Sequence, residues 1–121
     1  YCGKRGCVET VISGRALQTY YSNISGRKLK FEEIYALRDS DKYAKETFDR
    51  LIIHFGKGLS NVVNILDPEV IVLGGGLSNI KELYSEGYKE LKKYVFNPTF
   101  NTPIIRPKLG DSAGVYGAAL L

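Results

Sequence analysis

One long apolar stripe constrains the fold of this chain more than any other feature. Apolar side chains recur at helical spacing over about five turns, at Phe48, Leu51, Ile52, Phe55, Leu59, Val62, Val63 and Leu66. This spacing predicts a helix that begins near Asp41 and buries one face against a core. The helix is expected to end at Asp67, because a residue before proline disfavours the helical region.

The segment after this helix predicts a parallel sheet. The apolar run at 70–73 is typical of a strand buried on both faces, and Gly74, Gly75 and Gly76 follow it directly. We expect Ser78 or Asn79 to cap a further helix with apolar positions from 80 to 94. A second strand is expected at Ile104 and Ile105.

The two ends of the chain also show helical patterns. Apolar residues from Val8 to Tyr20 predict a helix interrupted at Gly14, followed by a loop over 23–30 and a short helix over 31–37. Near the other end, Asp111 is expected to cap a helix over 112–121. The alternation of helices and strands in 121 residues predicts one α/β domain at most.

Composition excludes several classes of protein. Lys and Arg number 17 against 13 acidic residues, a net charge of +4, but they form no extended basic patch. This argues against a nucleic-acid binder, and we interpret the short basic run at 26–30 as a solvated loop. No apolar run approaches the ~20 residues of a membrane span. Two cysteines do not make a disulfide framework, and a reducing, cytoplasmic location is expected.

Three local features of the sequence can be interpreted in more than one way. A strand that ends in three glycines before a helix can present backbone N–H groups to a phosphate, although a tight turn without ligand fits equally well. The stretch GKGLS at 56–60 is similar to a phosphate loop but lies within the apolar stripe, so we assign it to helix packing. Cys2 and Cys7 could form a metal knuckle or remain free thiols, and His54 is interpreted as no ligand.

Three stretches resemble motifs of the ROK family (repressors, open reading frames and sugar kinases), in the family's order. They are CGKRGCVE at 2–9 with SG at 13–14, DPEVIVLGGG at 67–76, and GDSAGVYGAA at 110–119. Together they look most like bacterial fructokinases of the group. The resemblance implies an actin-like, hexokinase-like (ribonuclease H-like) ATPase fold of two α/β lobes, with residues 1–121 as a C-terminal part of the second lobe.

The resemblance also implies roles for individual residues. Cys2 and Cys7 would be two ligands of a structural zinc site that needs one histidine and three cysteines; its first cysteine would lie just before Tyr1, so the chain is expected to begin inside the motif. Because the chain also lacks methionine, we interpret it as part of a longer protein.

The substrate-binding residues are implied in the same way. Glu9 would accept hydrogen bonds from sugar hydroxyls, which an ionised carboxylate can do. The alternative is a first-turn glutamate stabilised by the helix dipole. Gly74, Gly75 and Gly76 would approach ATP or ADP, and Ser13 and Gly14 would lie near the nucleotide.

The function implied is that of an ATP-dependent hexose kinase, with fructose as the leading substrate and the γ-phosphate of Mg-ATP transferred to the sugar 6-hydroxyl. The general base, an aspartate, is expected outside this chain, so the isolated chain is predicted to be inactive. The whole protein is expected to be a cytoplasmic homodimer. A sugar-binding domain of a ROK repressor is the alternative.

Overall fold

A computed structural model describes residues 3–4, 6–108, 110 and 113–119. The chain forms two compact units, Tyr1–Phe55 and Gly56–Leu121, and the boundary falls within one long helix. Among the described residues, no helix has the length and apolar character needed to cross a membrane.

The first unit is helical. It contains α1 (Glu9–Ile12), α2 (Gly14–Ser25), α3 (Phe31–Ala36) and the first part of α4 (Lys42–Leu66). The predicted short helix and the predicted long helix are thereby confirmed. Tyr21, Ile34 and Ala44 form the buried centre of this unit.

The helix predicted over 8–20 is in fact two helices that meet at Ser13. Ser13 has extended backbone (φ −74°, ψ 155°), and its Oγ accepts the N–H of Ala16 at 3.1 Å. The interruption therefore comes one residue before Gly14, because a serine N-cap starts a new helix there. The loop predicted over 23–30 begins three residues later than expected: α2 continues to Ser25 and ends at Gly26, whose positive φ of 72° suits glycine.

Asp41 connects the elements of the first unit. Its Oδ1 accepts the N–H groups of Tyr43 at 2.8 Å and Ala44 at 3.2 Å, which caps α4 where the sequence predicted its start. Its Oδ2 accepts the Tyr21 hydroxyl at 3.1 Å and forms an ion pair with Arg27. One carboxylate thus joins α2, the following loop and α4.

The second unit contains the rest of α4 and a small parallel sheet. Its further elements are β1 (Ile71–Val72), α5 (Glu86–Lys92), β2 (Ile104–Ile105) and α6 (Ala113–Ala119), with 3₁₀ turns at Gly76–Asn79 and Lys81–Tyr84. Ile71 pairs with Ile104 and Val72 with Ile105, in parallel. The predicted parallel sheet and its second strand are confirmed. The core of this unit is built on Val63, Leu91 and Phe100.

The prediction of a strand buried on both faces is wrong for this chain. Ile71 and Ile104 pack against the Val63–Leu91–Phe100 cluster, whereas Val70 and Val72 are 46% and 53% exposed. The alternation of side chains along a strand explains the difference, because neighbouring residues point to opposite faces. Among the described residues, the core covers one face of this sheet.

The helix predicted from residue 80 is also wrong in its first part. Ile80 has extended backbone (φ −75°, ψ 113°), so two 3₁₀ turns precede α5. Ser78 does not cap a helix, because its hydroxyl donates to the carbonyl oxygen of Gly75 at 2.6 Å. This path buries both Ile80 and Leu83. The predicted cap Asp111 and the predicted first helical residue Ser112 lie outside the described residues, and α6 confirms a helix there.

A close helix contact at Gly56 generates a stability prediction. A Cβ atom at Gly56 would lie 2.8 Å from Cγ of Glu90 and 2.9 Å from the backbone N of Leu91, whereas at Gly58 it would meet nothing within 4 Å. We expect Gly56→Ala to destabilise the protein by about 1–3 kcal/mol, because the backbone at Glu90 and Leu91 must move to make room for the added methyl group. Gly58→Ala, the matched control on the same helix, should stabilise it by up to about 1 kcal/mol. Urea unfolding followed by circular dichroism measures both, and equal effects would contradict the packing argument.

Candidate functional site

The first unit contains a cleft of about 460 Å³ beside α1 and α2, here called the Glu9 cleft. This volume lies within the range of ~300–1,000 Å³ typical of small-molecule sites. Most of its lining residues have polar side chains, among them Glu9, Thr10, Ser13, Arg15, Tyr20 and Arg50. The cleft therefore brings together two of the residues predicted from sequence, Glu9 and Ser13.

The break between α1 and α2 places Glu9 and Ser13 in this cleft. The carbonyl oxygen of Cys7 accepts the Thr10 N–H at 2.9 Å and the Thr10 hydroxyl at 2.7 Å, which fixes the start of the α1 turn. Glu9 is exposed, and within the described part of the chain its carboxylate has no hydrogen-bond or ion-pair partner. Glu9 is thus available to a ligand, whereas the Ser13 hydroxyl already accepts the Ala16 N–H.

Three further residues at the cleft were not predicted from the sequence. The Tyr20 hydroxyl donates to Oε1 of Glu46 at 2.6 Å, and Cζ of Arg50 lies 4.5 Å from the Tyr20 ring centroid. The hydrogen bond to Glu46 raises the pKa of Tyr20; burial and the carboxylate charge act in the same direction, and Arg50 opposes them. Glu46 and Arg50 are four residues apart, so they share a face of α4, but only the tertiary fold brings Tyr20 to them.

The glycine loop belongs to the second unit. The Leu73 N–H donates to the Ile105 carbonyl oxygen at 3.2 Å, and the chain then leaves the sheet through Gly74, Gly75 and Gly76. All three glycines are exposed, and Gly75 has a φ of 82°, which favours glycine. No carbonyl oxygen of a described residue accepts the N–H of Gly74 or Gly75.

This loop differs from the predicted phosphate-binding geometry in one respect. A 3₁₀ turn of 4 residues, Gly76–Asn79, follows it instead of a long helix. The macrodipole argument therefore does not apply, since that dipole is a sum over many aligned peptide units. What remains is a pair of exposed N–H donors with open space around them. The stretch GKGLS, by contrast, lies within α4 as predicted.

The predicted zinc ligands are only partly described. Cys7 is a free, exposed thiol, and Cys2 lies outside the described residues. In the described ranges, no group of three or more His, Cys, Asp and Glu side chains is placed to hold a metal ion. A complete structural zinc site needs four ligands. The described residues do not fit such a site, and the assignment of Cys2 and Cys7 stays a prediction.

Comparison with known proteins identifies the family. The ROK family matches the chain over residues 1–121. The chain belongs to the ROK family. It is 40% identical over 121 residues to an N-acetyl-D-glucosamine kinase of Vibrio atlanticus and 38% identical to one of Photobacterium profundum. Each alignment covers 99% of this chain but 40% of the relative, so the chain spans less than half the length of these curated relatives.

Solved structures confirm the fold. A ROK family glucokinase from Streptomyces griseus, in complex with glucose and AMPPNP, aligns with a TM-score of 0.81 at 27% identity, covering 98% of this chain and 45% of that one. A ROK hexokinase from Thermus thermophilus aligns with a TM-score of 0.82 at 30% identity, covering 98% and 41%. The chain thus forms part of the actin-like, hexokinase-like α/β fold that the resemblance implied. These relatives are N-acetyl-D-glucosamine kinases, a glucokinase and a hexokinase, so they do not support a fructokinase over other hexose kinases.

The Tyr20–Glu46 hydrogen bond generates a pH prediction. We expect Tyr20 to ionise above its ordinary pKa of 10.0, because the neutral phenol donates to a carboxylate. The raised pKa means that this bond stabilises the fold fully below pH ~10 and less as the pH rises through the folded-state value. NMR titration of tyrosine Cζ carbons measures it, with Tyr20→Phe assigning the signal. Glu46→Gln should lower the midpoint; an unchanged midpoint would contradict the assignment.

Proposed function

We propose that this chain is part of an ATP-dependent hexose kinase, with N-acetyl-D-glucosamine as the first candidate substrate. The observation that carries the proposal is the Glu9 cleft. A carboxylate without a partner among the described residues lies in a cleft of ligand size with several polar lining residues, in a chain 40% identical to an N-acetyl-D-glucosamine kinase. Fructose, which the sequence motifs favoured, is kept as an alternative substrate.

Each residue predicted to bind sugar or nucleotide has a part in this proposal. Glu9 accepts hydrogen bonds from sugar hydroxyls, an interaction that orients the sugar through two acceptor oxygens. Ser13 and Gly14 form the turn beside it and lie near the nucleotide. Gly74, Gly75 and Gly76 approach ADP or ATP through exposed backbone N–H donors.

The chemistry is phosphoryl transfer, in which positioning and electrostatic stabilisation supply most of the rate enhancement. ATP with Mg²⁺ would supply the transferred group. We assign no general base within this chain. Glu9 would act on the sugar by orientation, holding the ring so that the attacking hydroxyl meets the γ-phosphate.

A substrate comparison tests the proposed function. The whole protein that contains this chain is incubated with Mg-ATP and N-acetylglucosamine, glucose, mannose or fructose, and ADP release is measured. We expect the highest kcat/KM with N-acetylglucosamine and no ADP release from the 121-residue chain alone. Sugar binding without ADP release would contradict the kinase proposal and agree with the alternative, a sugar-binding domain of a ROK repressor. The highest kcat/KM with fructose would contradict only the choice of N-acetylglucosamine as substrate.

Substitution of Glu9 tests its role in sugar binding. We expect Glu9→Gln to lower kcat/KM for the sugar about tenfold to hundredfold, because a hydrogen bond to a charged group is lost. The KM for ATP should change little. Glu32→Gln is the matched control, since Glu32 is an exposed glutamate in the first turn of α3 and reports the helix-dipole contribution alone. Equal effects of the two substitutions would mean that Glu9 is only a helix-terminal residue.

A further inference from the structure

The Glu9 cleft holds two guanidinium groups that the proposed function does not use. Arg15 and Arg50 both line it, Arg15 exposed and Arg50 partly buried. Across residues 3–4, 6–108, 110 and 113–119, no carboxylate forms an ion pair with either group, and neither side chain donates a hydrogen bond. An arginine carries five N–H donors, so both retain their full capacity to bind a ligand.

Arg50 lies over an aromatic ring. Its Cζ atom is 4.5 Å from the centroid of Tyr20, and the Tyr20 hydroxyl donates to Glu46 at 2.6 Å. This cation–π contact restrains the position of the guanidinium but occupies none of its N–H groups. The three residues come from two helices of one compact unit, α2 and α4. Arg50 is therefore a preorganised donor, which lowers the entropic cost of binding.

The charged side chains that line the cleft indicate which chemical groups its ligand carries. A planar guanidinium is the side chain best matched to the paired oxygens of a phosphate. Glu9, in the same cleft, accepts hydrogen bonds and repels anions. Glu46 keeps its negative charge while it accepts the Tyr20 hydroxyl, but it is not part of the lining and, among the described residues, forms no ion pair with Arg50. A ligand that satisfies both kinds of group carries a phosphate and hydroxyls together.

We propose that Arg50, assisted by Arg15, binds the phosphate of a phosphorylated polyol in the Glu9 cleft. The hydroxyls of the same ligand face Glu9; this second part rests on the proposed function, whereas the role of Arg50 rests on the cleft alone. Two ligands of a kinase share this chemistry, the nucleotide and the phosphorylated sugar product. Arg50 is then a residue that distinguishes phosphorylated from unphosphorylated ligands.

Calorimetric binding to the whole protein tests this inference with two pairs of ligands. The pairs are ADP with adenosine, and N-acetylglucosamine 6-phosphate with N-acetylglucosamine. We expect Arg50→Gln to weaken binding of one phosphorylated member about tenfold or more, since a charge-assisted hydrogen bond is lost. Its unphosphorylated partner should bind as before. Arg50→Lys should restore part of the affinity, because it keeps the charge without the planar group.

Arg38→Gln is the matched control. Arg38 lies in the same unit, with Cζ 4.2 Å from the ring centroid of Tyr35, but it is not part of the cleft lining. The substitution removes the same charge and the same kind of cation–π contact, together with a hydrogen bond to the Tyr35 carbonyl oxygen, at a site outside the cleft, so it should leave all four affinities unchanged. Circular dichroism and thermal unfolding verify that both variants fold like the parent protein.

The pair that responds identifies the ligand. A selective effect on ADP assigns the phosphate to the nucleotide, and one on the sugar phosphate assigns it to the product. No saturable binding of either phosphorylated ligand, equal weakening of both members of a pair, or the same loss in Arg38→Gln would overturn the inference. The proposed kinase function is judged separately by ADP release, which can succeed while Arg50 proves dispensable, or fail while Arg50-dependent binding persists.

Discussion

Both cores of this protein depend on the apolar residues of one helix, α4. Ala44, near the start of α4, belongs to the cluster of the first unit, and Val63, near its end, belongs to the cluster of the second. The apolar face of α4 contributes strongly to the stability of the fold, because a 25-residue helix with one apolar face gains most of its stability from burying that face. Asp41 fixes where this helix begins and at the same time binds Tyr21 and Arg27.

The Glu9 cleft is a consequence of how α2 begins and where it packs. A serine cap at Ser13 ends the α1 turn and redirects the chain, so that Glu9 and Ser13 line one cleft. The same α2 brings Tyr20 to Glu46 and Arg50 on α4. A carboxylate suited to hydroxyls and a guanidinium suited to phosphate therefore line one cleft. This combination is the basis of the proposed sugar kinase function.

Sequence patterns predicted the elements well where burial and periodicity agree. The spacing of apolar residues predicts the long helix, the short helix over 31–37 and the strands of the parallel sheet, and proline predicts where the long helix ends. The errors lie where local chemistry competes with periodicity. Ser13 takes over as a cap before Gly14, and an extended Ile80 replaces a helix by 3₁₀ turns. At both places, the extended backbone of a single residue interrupts the helix. The periodicity of apolar residues is averaged over many positions, so it does not reveal such an interruption.

The sequence by itself determined the family and the α/β class, and it led to the predictions for Glu9 and the glycine loop, because all of these are carried by residue types at fixed short spacings. The tertiary structure alone decided that Glu9 shares a cleft with Tyr20 and Arg50, and that Val70 and Val72 lie on the exposed face of the sheet. Contacts between residues about 30 positions apart depend on how helices pack, and packing leaves no periodic signal in the sequence.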